Sequence, residues 1–277
     1  MMKIIESFVA RKPSYDRFAK LQDYITQSQE SECSISLDIK NRLGYTFLFL
    51  FATLPYLAEK YNKKVNIFCN NKTLKLFKKL GYLDKNLDSY LNYDVSHMLK
   101  ANAGLITTKE DIFKIVTEIS SEAPVKMSSE LSAIFISKAG EMYNNAIEHS
   151  QGKVLGAKYF KNQKNTYCFA CYDTGVGIPT KVMSAKKGIC DQVQAFKWAM
   201  INGHSTVKSD IPRGLGLGLL QDFAQANDGT IRICSDNILY TYNSTNGETY
   251  HILNNKFYGT LFEMDIIADN NKNYILK

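Results

Sequence analysis

The sequence predicts an α/β protein in two parts. A smaller α/β domain occupies residues 1–110, and an α/β sandwich with helices on one face of a mixed sheet occupies residues 120–277. Three observations carry this prediction. A chain of 277 residues with 45% hydrophobic content can fill two cores. Runs of helical period and runs of strand period alternate along it. Around "LKANAGLITTKEDIFKIV" the composition turns polar before periodicity resumes, which puts the boundary between about 95 and 125.

In the first part, "CSISLDI" alternates as a strand and "LGYTFLFLFATLPYLA" reads as a buried helix. "KKVNIFCN" is a second strand, and "TLKLFKKLGYL" is an amphipathic helix that ends at Gly81. In the second part, "SSELSAIFISKAGEMYNNAIEHS" starts at a serine cap, Ser128, and holds helical period for roughly six turns. Two alternating runs, "KVLGAKYF" and "NTYCFACYD", are joined by "KNQKN" and read as antiparallel neighbours. Residues 178–213 read as a long Lys-rich connecting loop of the functional kind. "RGLGLGLLQDFAQAN" is a glycine-rich turn opening into a helix, and "GTIRIC" and "GTLFEMDI" close the sheet.

Composition excludes several classes. The apolar run at 43–58 is too short for a ~30 Å hydrocarbon core and is broken by Pro55, so no membrane association is expected. Six scattered cysteines without a leading secretory pattern predict a reduced, cytoplasmic protein. Cys168 and Cys171 have CxxC spacing, but on a strand positions three apart point to opposite faces, which argues against a shared metal. The net charge of +7 is spread over lysines with no arginine cluster, so nucleic-acid binding is only weakly signalled.

The chemistry-bearing residues lie in the second part. Glu141 and Asn145, four apart, share a helix face. An amide oxygen there can ligate a hard cation such as Mg²⁺, and the carboxylate can take a proton from an attacking water. In "CYDTGVGIPTK", Asp173 ends a strand, where its carboxylate can accept from an exocyclic amine such as that of adenine. Gly175 and Gly177 let the backbone turn sharply and a flat ring approach it. Gly214, Gly216 and Gly218 precede a helix, where free N–H groups and the helix dipole face an anion. Their spacing fits neither the P-loop nor the dinucleotide fingerprint.

In order, "EMYNNAIEHS", "DTGVGIP", "RGLGLGLL" and "GTLFEMDI" resemble the N-box, the two glycine boxes and the closing strand of the GHKL ATPase superfamily, which includes gyrase, the ninety-kilodalton heat-shock chaperone, histidine kinases and MutL. The resemblance spans residues 125–268 and implies a Bergerat-type fold that binds ATP with Mg²⁺. It implies Asn145 as the Mg²⁺ ligand, Glu141 as general base and Asp173 as reader of the adenine amine. Gly175 and Gly177 would shape the adenine pocket, Gly214, Gly216 and Gly218 the phosphate-covering end of the lid, and Thr260 would stand near an adenine-bound water. The first part more faintly resembles STAS-like modules, without their phospho-accepting segment.

The reading that follows is an ATP-hydrolysing protein with a regulatory or conformational-switch role. Lys186, Lys187, Lys208 and Arg213 are candidate cations for the γ-phosphate. Two alternatives stay open: a serine protein kinase of the anti-sigma type, and a nucleotide-gated interaction module without significant catalysis. A protein partner or a homodimer is implied in each case. A histidine kinase is disfavoured, because His97, His149, His204 and His251 all lack the context of a phospho-acceptor.

Overall fold

The computed structural model describes residues 1–39, 42–86, 94–122, 126–161, 166–201, 204, 206, 217–226, 228–267 and 273–274. These form two compact units, one of Met1–Leu105 with Asn254–Phe257, the other of Ile106–Leu253 with Tyr258–Lys277.

In the first unit the elements run β1 (Met2–Ile4), α1 (Lys12–Gln27), β2 (Glu32–Leu37), α2 (Tyr45–Lys60), β3 (Lys64–Cys69), α3 (Asn71–Lys79) and α4 (Ser96–Ala101). The strands form one parallel sheet in the order β1-β2-β3, with Ile35 facing Met2 on one side and Ile67 on the other. The run that could have suggested a membrane is α2, buried on nearly every side from Thr46 to Ala58. Its aromatic rings explain that burial: Phe47 and Phe51 pack against Phe8 at 5.1 and 5.2 Å, and Phe47 also meets Tyr15 at 5.1 Å. Inside this apolar helix the Thr53 hydroxyl is satisfied by donating to the Leu50 carbonyl at 2.8 Å. Among the described residues no helix is long and apolar enough to cross a membrane.

β4 (Leu105–Ile106) stands at the division between the units. The second unit continues with α5 (Lys109–Glu122), β5 (Lys126–Met127), α6 (Ser129–Ser150), β6 (Val154–Lys161), β7 (Thr166–Asp173), α7 (Ile178–Ala185), α8 (Gln192–Met200), α9 (Leu217–Ala226), β8 (Thr230–Asn243), β9 (Gly247–Ile267) and β10 (Asn273–Tyr274). Side-chain caps start both α5 and α6. Thr108 and Asp111 form a reciprocal capping box at α5, each side chain accepting from the other's backbone N–H. At α6 the Ser128 hydroxyl accepts from Leu131 N.

The five-stranded sheet has the order β4-β6-β7-β9-β8, antiparallel between β6 and β7 and between β7 and β9. Tyr167, Phe169 and Cys171 of β7 enter one core with Phe135 and Tyr143 of α6 and Phe223 of α9. Phe135 holds that core together, 5.7 Å from Phe169 and 5.1 Å from Phe223. The alternate residues Cys168, Ala170 and Tyr172 are also buried, so β7 is covered on both faces and reads as a continuous apolar run. Cys168 and Cys171 therefore lie on opposite faces, both as free thiols.

The segment expected as a loop at 178–213 instead contains α7 and α8. Pro179 stands in the first turn of α7 with its φ already helical, Asp191 caps α8 by accepting from Gln194 N, and Val182, Ala195 and Phe196 are buried. The closing strands are longer than expected, because β8 and β9 continue outward as a hairpin. Its tip turns at Asn246 and Gly247, with Asn243 Oδ1 accepting from Thr245 N and Asn246 N.

Candidate functional site

The candidate site forms where β7 ends. Asp173 is almost fully buried, and its Oδ1 accepts from Gly175 N at 2.7 Å, which folds the chain back sharply after the strand. The next residue ties the turn to the beginning of β6: Thr174 N donates to Lys153 O at 2.9 Å, and Lys153 N donates to Thr174 Oγ1 at 3.0 Å. Lys153 follows directly on the exit from α6, where Gly152 N donates to Ser150 Oγ at 3.1 Å. The C-terminal end of α6 and the "DTGVG" turn are thus one hydrogen-bonded corner.

The glycines of that turn answer to neighbours distant in sequence. A Cβ at Gly175 would stand 2.5 Å from both Cβ and O of Ser150, so α6 could not reach the turn if any other residue were there. Gly177 has φ of +91°, and a Cβ on it would lie 2.6 Å from Oδ2 of Asp236. The room left at both positions is taken by the protein's own atoms.

Asp236 and Ser235, on β8, were not singled out by sequence reasoning. Gly177 precedes the first turn of α7 but has no side chain to cap it. Asp236 supplies the cap from another strand, its Oδ2 accepting from Thr180 N at 2.9 Å. Ser235 Oγ accepts from Ile178 N at 2.8 Å. Both side chains are fully buried, and a carboxylate at a helix N-terminus is favoured by the helix dipole. Ser235 Oγ also lies 3.0 Å from Thr260 Oγ1, and Thr260 is the cross-strand partner of Asp173. Of the expected site residues, Asp173, Gly175, Gly177 and Thr260 are therefore joined through Ser235 and Asp236 into one assembly that seats α7 against the end of β7 and the middle of β8 and β9.

On α6, Glu141 and Asn145 stand one turn apart, both partly exposed. Glu141 Oε2 is held by Lys138 Nζ at 2.9 Å. Asn145 keeps part of its side chain exposed on the same helix face as Glu141. Oxygen donors of this kind, on a helix whose last turn abuts the Asp173 corner, suit a hard divalent cation.

The second glycine box is only partly within the described residues. Gly218, expected just ahead of the helix, is the second residue of α9. Lys208, Arg213, Gly214 and Gly216 lie outside the described residues. Of the remaining candidate cations, Lys187 is exposed, whereas Lys186 Nζ sits 4.9 Å above the ring of Trp198, which also stacks on His204 at 4.6 Å.

The β8–β9 hairpin clasps the helices on either side of that segment. Phe196 of α8 packs on Tyr240 and Tyr250, and Lys197 Nζ lies 5.1 Å over the Tyr250 ring. On α9, Gln221 Nε2 donates to Tyr240 Oη at 2.6 Å and to Glu248 Oε1 at 3.0 Å. Burial, reinforced by the Glu248 carboxylate, pushes the Tyr250 hydroxyl up to about 12.

A separate polar cluster sits about 16 Å along β7 from Asp173, at five residues of strand rise. Cys168 Sγ and carboxylate oxygens of Glu263 and Asp265 all lie within 4.8 Å of one another. The Arg232 guanidinium already occupies the cation's place, with Nη1 3.0 Å from Asp265 Oδ2 and 3.5 Å from Glu263 Oε1. The cluster is thus a structural knot in which one guanidinium bridges two carboxylates. Of the six cysteines, only Cys190, between α7 and α8, is exposed, and burial raises the thiols of Cys69 and Cys171.

No protein-family model and no curated protein matches the chain. Among solved structures, it is similar to the histidine kinase domain of the blue-light activated histidine kinase from Erythrobacter litoralis EL346. Identity is 13% over 94% of this chain and 95% of that one, with a TM-score of 0.30.

Proposed function

We propose that the second unit binds ATP with Mg²⁺ at the corner formed by Asp173, Thr260 and the end of α6, and hydrolyses it in a regulatory or conformational-switch role. The observation that supports this most is the joining of residues from four separate segments, α6, the "DTGVG" turn, β8 and β9, around one buried carboxylate at a strand end. Asp173 would accept from the adenine amine, with Thr260 and Ser235 as neighbouring hydroxyls. Asn145 would offer its amide oxygen to Mg²⁺, which when bound would neutralise phosphate charge. Glu141, with Oε2 anchored by Lys138, would use its other oxygen to take the proton of an attacking water.

The test is ATP binding and turnover by the wild type beside Asp173→Asn and Glu141→Ala. Asp173→Asn should lose nucleotide affinity at least tenfold, because an amide nitrogen there meets the adenine amine donor to donor. Glu141→Ala should bind ATP and fail to release phosphate. Tight ATP binding by Asp173→Asn would refute the pocket. Unchanged turnover in Glu141→Ala would refute the base. With γ-labelled ATP, label recovered on protein rather than as free phosphate would move the assignment to the anti-sigma type of kinase.

A further inference from the structure

We propose that the first unit docks the phosphate backbone of a nucleic acid along the C-terminal edge of its parallel sheet. The formal net charge of +7 lies entirely in that unit, because acids and bases balance in the second. The lysines are spread along the sequence, but the excess of positive charge is not.

Because β1, β2 and β3 are parallel, the chain leaves all three at one edge, where α/β sheets open their binding crevices. Basic side chains follow each exit. Arg11 stands before α1 and Arg42 before α2, both exposed. The two exits are bound together, since Phe8 N donates to Arg42 O at 2.8 Å and Gly44 N to Phe8 O at 2.6 Å. After β3 comes α3, with four lysines in nine residues and no acid. Its Leu74 and Phe77 are buried, which fixes the helix and turns Lys72, Lys75 and Lys79 outward at spacings of three and four, on one face. Lys79 Nζ reaches the Tyr45 hydroxyl at 3.2 Å, bringing that face to the start of α2, three residues from Arg42. The carboxylates at this edge are engaged within the unit: Asp38 with Lys3 at 3.2 Å and with Asn70, and Glu6 with Arg17 at 3.1 Å.

The chemistry selects among polyanions. An interfacial helix needs an apolar face to insert into lipid, and the apolar face of α3 is spent on the core. A protein partner is anchored by buried aromatic or aliphatic hot spots, which the outward stripe of α3 does not offer. Lys72 to Lys79 spans about 10 Å, or about three phosphates of one strand at 3.4 Å each.

The experiment is fluorescence anisotropy of a labelled 20-nucleotide DNA, single-stranded and duplex, titrated with the full chain between 50 and 200 mM KCl. Wild type should bind at 50 mM and weaken linearly in log–log salt. The triple variant Lys72→Gln, Lys75→Gln, Lys79→Gln should lose at least tenfold in affinity and about two to three in the salt slope, with an unchanged melting temperature. The pair Lys109→Gln, Lys114→Gln, on exposed positions of α5, should bind as wild type. Absence of binding at 50 mM, or an equal loss in the α5 pair, would overturn the proposal. So would phosphatidylserine vesicles or polyglutamate binding as tightly as DNA with the same dependence on the three lysines.

Discussion

The seat of α7 gives a prediction in which two substitutions must interact. Gly177→Ala puts a Cβ 2.6 Å from Oδ2, 2.8 Å from Cγ and 3.0 Å from Oδ1 of Asp236, at a φ of +91° that an L-residue resists. The backbone part should cost about 1–2 kcal/mol. The collision with a fully buried carboxylate that cannot swing away should cost about 1–3 kcal/mol more. Asp236→Ala alone removes a charge-assisted hydrogen bond to Thr180 N at 2.9 Å and should cost about 1.5–3 kcal/mol. In the double variant the collision is gone, so alanine at 177 costs only its backbone part. The two losses should therefore fall short of additivity by about 1–3 kcal/mol. The readout is urea unfolding followed by tryptophan fluorescence, because the single tryptophan, Trp198, lies on α8 in the same unit. Additivity within about 0.5 kcal/mol would refute the reasoning, since it would mean the two side chains do not meet.

Two further outcomes follow from charges outside the site. Arg232→Met leaves the buried carboxylate of Glu263 and the partly buried one of Asp265 facing each other without their cation. Denaturant titration should show a loss of about 3–5 kcal/mol, and a loss below about 1 kcal/mol would mean that the knot is not buried. Asp111 is held down to about 2 by hydrogen bonds from the backbone N–H of Thr107, then of Thr108. A carboxylate lowered on folding stabilises fully above its ordinary value near ~3.9 and loses that contribution as pH falls through about 2. Amide exchange at Thr107 and Thr108 should therefore accelerate, beyond its intrinsic pH dependence, as pH falls from about 4 to about 2. In Asp111→Ala that extra acceleration should be missing.

Elements that announce themselves locally were legible in the sequence. α6 has a serine cap and six turns of one period, α2 is apolar on every side, and β7 is apolar because both its faces are covered. The first helix, α1, does not announce itself, because Ser14, Gln22 and Thr26 interrupt its buried face and blur the period. α7 and α8 were hidden by the lysines between them, although Pro179, two residues after Gly177, is a helix-start signal. The outer hairpin could have been found from alternation in "NILYTYN" and "ETYHIL" around Asn246 and Gly247. Asp173 and its glycines stand out because their types are unusual together at a strand end. Ser235 and Asp236 do not, for "CSDN" is an unremarkable stretch, and its hydrogen bonds are made to a helix 56 and 57 positions away.

The placement of the cysteines has a practical side. Five thiols are shut inside the protein, and the sixth, Cys190, is open to solvent between α7, whose first turn rests on Asp236, and α8, which the hairpin grips. A maleimide dye added to the native chain will therefore mark one address, next to the segment that separates the two helices, with no cysteine needing to be engineered in or out. A label on the natural sequence can then report whether nucleotide changes the distance from Cys190 to Trp198, eight residues further along the chain.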